Sequence, residues 1–183
     1  MWQARFYQSL PKIVETNPTA RWVFLTLTVR NCAIEDLGTI LTNMNSAFQR
    51  LKVRKEFKPV LGWIRTTEVT RDKDNGAHPH FHTLMMVPSS WFTRDYVKHD
   101  RWVELWRDCL RINYEPNVDI RTVKARIEGQ SLSEVLQDAV SEIIGQLNGR
   151  VKARGRSMFY KTALSQPLGG YLEVIVDDNH SKV

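Results

Sequence analysis

Two periods of apolar and polar positions run through the chain, and the switches between them lay out its elements. Arg21-Trp22-Val23-Phe24-Leu25-Thr26-Leu27-Thr28-Val29-Arg30 is rich in β-branched and aromatic residues and predicts a buried central strand. From Ile34 to Val53 the apolar residues Leu37, Ile40, Leu41, Met44, Phe48 and Leu51 recur at helical spacing, with Glu35 and Asp36 in the first turn. Leu61–Thr70 and His78–Val87 are strand-like runs, and Asp72-Lys73-Asp74-Asn75-Gly76 between them has turn composition, so the two are expected to pair as a hairpin. A second helix is predicted over Asp95–Arg111, with Trp102, Leu105, Trp106, Cys109 and Leu110 as its apolar stripe. Asn117–Lys124 alternates polar and apolar, as a half-exposed strand does.

The last third carries a third helix from Ser131 to about Leu147, where Ser131 and Glu134 fit a capping box. A basic loop over 148–156, a short helix over Ser157–Ser165 and a last strand over Tyr171–Val176 follow, ahead of a polar tail. Residues 1–20, with Pro11 and Pro18, predict an arm or a short helix. The order β–α–β–β–α–β with an added helix and strand is that of a ferredoxin-like fold. The expectation is an α+β domain spanning 1–183, with helices packed on a central antiparallel sheet of about five strands.

Composition refines this picture. A chain of 183 residues with 42% apolar content and six tryptophans is long enough to bury a core. The formal charge of +6 favours a polyanionic partner without specifying one. Cys32 and Cys109 lie far apart and in none of the usual zinc spacings, as for two reduced thiols. No apolar run reaches the length of a membrane span, and the N-terminus lacks a signal-peptide core, so the expected location is the cytoplasm with no membrane partner.

The chemistry concentrates in His78-Pro79-His80-Phe81-His82, which holds three of the five histidines. On a strand, residues two apart share a face, so His80 and His82 project together. Glu68, near the end of the preceding strand, is expected beside them across the hairpin. Two imidazoles and a carboxylate, with positions left for water and substrate, suit a divalent cation in a catalytic site. The bland alternative is a pair of strand histidines without a ligand.

Three motifs in order carry a resemblance. They are Phe24-Leu25-Thr26-Leu27-Thr28, Gly62-Trp63-Ile64-Arg65-Thr66-Thr67-Glu68-Val69-Thr70, and His78 through Val87. From about Arg21 to Ile144 the sequence resembles the plasmid rolling-circle replication initiators of the HUH endonuclease superfamily. The resemblance implies a divalent metal, Mn2+ or Mg2+ ahead of Zn2+, held by His80, His82 and, by position, Glu68. It implies metal-dependent, site-specific nicking and joining of single-stranded or hairpin DNA at a plasmid origin. The route is a 5′-phosphotyrosine link that leaves a 3′-hydroxyl to prime rolling-circle synthesis. A host helicase and polymerase are implied partners, since the chain has no Gly-x-x-x-x-Gly-Lys-Ser/Thr run of its own. The oligomeric state is left open between monomer and dimer.

The nucleophile departs from the family pattern. Glu142 matches the carboxylate that some initiators carry one turn before their tyrosine, but one turn on stands Gln146. Of the five tyrosines, Tyr160, in Met158-Phe159-Tyr160-Lys161, is the candidate that follows the third helix among basic neighbours. A divergent C-terminal segment (148–183) leaving a nicking-deficient binding module of the same fold, or hydrolysis by an activated water with Glu142 as general base, stay open. Arg65, Arg71, Lys73, Arg121, Lys124 and the cluster Arg150, Lys152, Arg154 and Arg156 are expected to track phosphates, with Trp63 or Trp91 stacking bases.

Overall fold

The computed structural model describes residues 10–71, 76–123, 131, 132 and 134–136, and the backbone of 171–175. Five strands, β1 (Arg21–Thr28), β2 (Gly62–Arg71), β3 (Ala77–Val87), β4 (Val118–Thr122) and β5 (Tyr171–Ile175), form one sheet in the order β4-β1-β3-β2-β5. Every neighbouring pair is antiparallel. The first four strands have the ferredoxin-like order expected, and β5 adds to the outer side of β2. Helices α1 (residues 10–16), α2 (Leu37–Lys52) and α3 (His99–Leu110) join them, with short 3-10 helices at Ile34–Asp36 and Ser89–Phe92 and helical residues at 132 and 134–136. Among the described residues no helix is long and apolar enough to cross a membrane.

Period-two alternation assigns the two faces. Val23, Leu25 and Leu27 of β1, Trp63 and Val69 of β2, and Ala77, Phe81, Met85 and Val87 of β3 share one face. On it lie α2, through Leu37, Leu41, Met44, Phe48 and Leu51, and α3, through Trp102, Leu105, Trp106 and Cys109. Phe48 sits at the centre, edge-on to Phe57, Trp63 and Phe81 with centroids 5.0 to 6.0 Å away. Trp63 and Trp91, considered above as base-stacking residues, are both buried in this layer.

The second face is divided. Its apolar end, Trp22, Ile64, Leu84 and Met86, is covered by Leu10, Ile13 and Val14 of α1 and by Leu132 and Leu136. Of residues 1–20, expected to form an arm or a short helix, α1 seats a part on the sheet. The expected capping box is present: the Glu134 amide donates to Ser131 Oγ at 3.2 Å, and the Ser131 amide donates back to Glu134 Oε2 at 2.8 Å. Helix beyond residue 136 and over Ser157–Ser165, and the basic loop 148–156, lie outside the described residues.

Element bounds differ from expectation in two instructive places. β1 stops at Thr28, opposite His80, and the ladder resumes only at an isolated bridge between Cys32 and Ala77. Three residues of one chain there oppose two of the other, a bulge. The Ala77 amide donates to Cys32 O at 2.8 Å, so residue 79, two positions on, is oriented toward the same side. Residue 79 is Pro, which has no N–H to donate, and the bulge places it where none is required. Helix α3 begins at His99 rather than Asp95. Val97 is buried and Lys98 is extended, so the chain must first drop an apolar side chain into the core.

One expectation fails on burial. Arg65 was expected to contact phosphates, but it is 1% exposed and lies on the face covered by α2. Its Nη2 donates to Asn45 Oδ1 at 2.7 Å, and its guanidinium carbon lies 4.0 Å from the Phe81 ring centroid and 4.6 Å from that of Phe48. Strand periodicity explains this, because Arg65 has odd parity in β2 and Glu68 even parity. Glu173 of β5 stands opposite Arg65 in register.

Arg65→Ala is expected to cost roughly 3 kcal/mol in urea denaturation. It should leave the salt dependence of single-strand binding unchanged, whereas loss of a phosphate contact would lower that slope by about 0.7. A second tie joins α3 to the sheet: His99 Nε2 donates to Val118 O at 2.8 Å, while its Nδ1 lies 3.2 Å from Asp100 Oδ1. The Val118 bond first, and then the Asp100 bond, raise the His99 pKa. Stability from this raised group is fully present below the unfolded value of about 6.5 and is lost as pH rises through the folded pKa. Wild type should therefore lead His99→Ala in Tm by more at pH 5.5 than at pH 8.5.

Candidate functional site

The other half of the second face is polar, and β3 runs through its middle. His78, His80 and His82 alternate with Pro79 and Phe81, so all three imidazoles fall on one face while Phe81 enters the core. Register supplies the neighbours. On the β2 side, Thr70, Glu68 and Thr66 stand opposite His78, His80 and His82. On the β1 side, Thr28 and Thr26 stand opposite His80 and His82. Beyond β1, Asp119 of β4 stands opposite Thr26.

The side chains interlock across these rows. His82 Nε2 is 2.9 Å from Glu68 Oε2, with the two side chains only 13% and 16% exposed. His82 Nδ1 is 3.2 Å from Thr26 Oγ1. The His80 and His82 rings lie nearly parallel, 9° apart with centroids separated by 5.9 Å. His80 Nε2 is 3.3 Å from Thr70 Oγ1, and the His78 ring centroid is 4.2 Å from that of His80. Burial, and then the neighbouring His78, hold the His80 pKa down at about 4; Glu68 opposes them and His82 adds to the lowering. His80 is therefore a neutral imidazole with one unprotonated ring nitrogen at neutral pH.

An imidazole pair beside a carboxylate is a mixed nitrogen and oxygen donor set, which fits a divalent cation such as Mn2+ or Mg2+. Glu68 at present closes on His82. Among the described residues no three His, Cys, Asp or Glu side chains already surround a common point. Ligation through His82 Nε2 therefore requires the carboxylate to release that nitrogen.

The other expected site residues fall unevenly. Arg121 is exposed on the same face, 2.7 Å through Nε from Asp119 Oδ2 and near the Phe24 ring. Arg71 is exposed at the end of β2. Lys73, Lys124, Glu142, Gln146, Arg150, Lys152, Arg154, Arg156 and Tyr160 lie outside the described residues. Thr26 and Thr70 touch the histidines and were given no role from sequence. Their parity was readable, but the offset of β1 against β3 was not.

The sequence profile of the family described as "Replication protein" matches residues 1–148. Over 125 residues the chain is 38% identical to "Protein rep" of Bacillus amyloliquefaciens, a match covering 66% of this chain and 37% of that protein. A "Replication protein" of Staphylococcus aureus is 34% identical over 136 residues, covering 72% of this chain and 57% of its own. "Protein rep" of Streptococcus pneumoniae is 37% identical over 122 residues, covering 64% and 38%. These matches span 37% to 57% of the relatives' lengths. No solved structure matches the chain. With a profile match over 148 of 183 residues, this chain belongs to the replication protein family.

Proposed function

We propose that this domain nicks and joins single-stranded DNA at a plasmid replication origin, initiating rolling-circle replication, and that His80, His82 and Glu68 hold the divalent metal on which the cleavage depends. The observation that carries this reading is the ladder of imidazoles facing Glu68 on a half-face of the sheet left polar beside a fully packed apolar half. When bound, Mn2+ or Mg2+ would polarise the scissile phosphate and draw off the charge that develops on its oxygens.

The chain's own residues do the rest. His80, kept neutral by burial, offers its lone pair at neutral pH without first losing a proton. Thr28, Thr66 and the strands beneath are buried, so the histidines stand on a rigid floor. Arg121, exposed on the same face, offers a charge to a phosphate of the strand. Tyr160 is the candidate nucleophile: its Oη attacks phosphorus, the P–O3′ bond breaks, and the leaving oxygen takes up a proton to become the 3′-hydroxyl. A phenolate also leaves readily, so the link reverses when a second strand end arrives.

A second reading rests on Gln146, which stands where the family tyrosine is expected and cannot form the covalent link. Under it the chain is a nicking-deficient binding module, or it hydrolyses DNA with an activated water and Glu142 as base.

Incubation of an origin-derived oligonucleotide with the protein and Mn2+, resolved on a denaturing gel, separates these readings. The proposal expects a protein–DNA adduct that is abolished in Tyr160→Phe and prevented by EDTA. His80→Ala and His82→Ala should each lower cleavage by roughly 100-fold or more, a loss of several kcal/mol of charge stabilisation. Cleavage without an adduct supports the activated water, and binding without cleavage supports the module. Full cleavage by His80→Ala would refute the metal site.

A further inference from the structure

Resting on the metal site proposed above, we infer that Thr26 is a positioning residue for His82, holding the ring in place through the change of tautomer that metal entry demands. The argument starts from hydrogen-bond bookkeeping. An ionised carboxylate can only accept, so the 2.9 Å contact between Glu68 Oε2 and His82 Nε2 calls for a proton on Nε2, which in the neutral form of the ring is the only one. Nδ1 is then a bare acceptor, and the Thr26 hydroxyl, 3.2 Å away, donates to it.

Giving the Nε2 lone pair to a cation reverses both ends of the ring. The N–H must move to Nδ1, and Glu68 is released from Nε2 to turn toward the cation. The proton leaves one nitrogen and is regained at the other, so His82 itself gains and loses no net charge. The Nδ1–H then needs an acceptor in the place where it formerly received a proton. A hydroxyl meets both demands, since it carries one proton and two lone pairs on an oxygen that need not move. A carboxylate at this position would fix one tautomer permanently, and a methyl would satisfy neither.

The fold explains why position 26 has this part. Thr26 is paired with His82 across β1 and β3, in a register fixed from Arg21–Val87 to Thr28–His80. Its β-branch gives it a restricted χ1 on the strand, so the hydroxyl is held toward the imidazole at small entropic expense. An N–H partner behind a ligating imidazole commonly changes metal affinity by about 10- to 100-fold when removed.

The test uses the full chain, with Thr26→Val as the isostere without the hydroxyl and Thr26→Ser as the conservative rescue. Mn2+ affinity is read from free Mn2+ by electron paramagnetic resonance, and the His82 ring by 15N NMR at pH 8, metal-free and with diamagnetic Zn2+. The proposal expects Thr26→Val to bind Mn2+ about 10-fold more weakly and Thr26→Ser to bind within about twofold of wild type. In the metal-free protein, His82 Nδ1 should resonate as a hydrogen-bonded acceptor in wild type and Thr26→Ser, and shift to the unbonded position in Thr26→Val. With Zn2+, wild-type Nδ1 should carry the proton. Mn2+ binding that is lost in His82→Ala but undiminished in Thr26→Val overturns the positioning role alone. Absence of Mn2+ binding by wild type, or binding undiminished in His82→Ala, overturns the metal site and the positioning role together.

Discussion

The candidate site depends on β3 being paired on both sides, with β1 and β2, along the stretch that carries His80 and His82. Double pairing leaves the strand no freedom to rotate, and a slip of one residue would exchange its faces. Phe81 would then enter the polar face and the imidazoles would enter the core against Phe48 and Trp106. The cost of burying those imidazoles without partners, added to the loss of the Phe81 contacts, fixes the register. The histidine row is therefore held by the apolar residues that alternate with it as much as by its own hydrogen bonds.

The same sheet face serves two purposes along its length. From Leu84 onward the even positions of β3 are apolar and lie under α1, Leu132 and Leu136, whereas from His82 backward they are imidazoles. That boundary falls between adjacent same-face positions, a spacing of about 7 Å. It lets the covering residues seal one half while the other half stays polar. Burial of His80 holds it neutral, so the packing around the strand also sets the protonation state of the proposed ligand.

Much of the architecture was legible in advance. Five strands, the antiparallel hairpin and the apolar stripes of α2 and α3 followed from periodicity, because burial on one side of an element writes its period into the sequence. The proximity of Glu68 to the histidines was readable from hairpin composition alone. The burial of Arg65 was not inferred, though its parity was available, because a charged residue near a proposed site invites a surface role. The bulge opposite Pro79 and the late start of α3 were also missed. Each is set by a partner distant in sequence: Cys32 for the bulge, and the core pocket that takes Val97 for the helix.

The sequence by itself determined which residues share a face, because side-chain direction on a strand depends only on parity. It thereby determined that His78, His80, His82 and Glu68 could meet, and that Phe81 would not meet them. Only the tertiary structure decided what stands beside them. The offset of β1 against β3 brings Thr26 to His82, that of β4 against β1 brings Asp119 to Thr26, and both are set by how whole strands pack beneath α2 and α3. Local pattern encodes direction within an element, whereas distance between elements is fixed by the shared core.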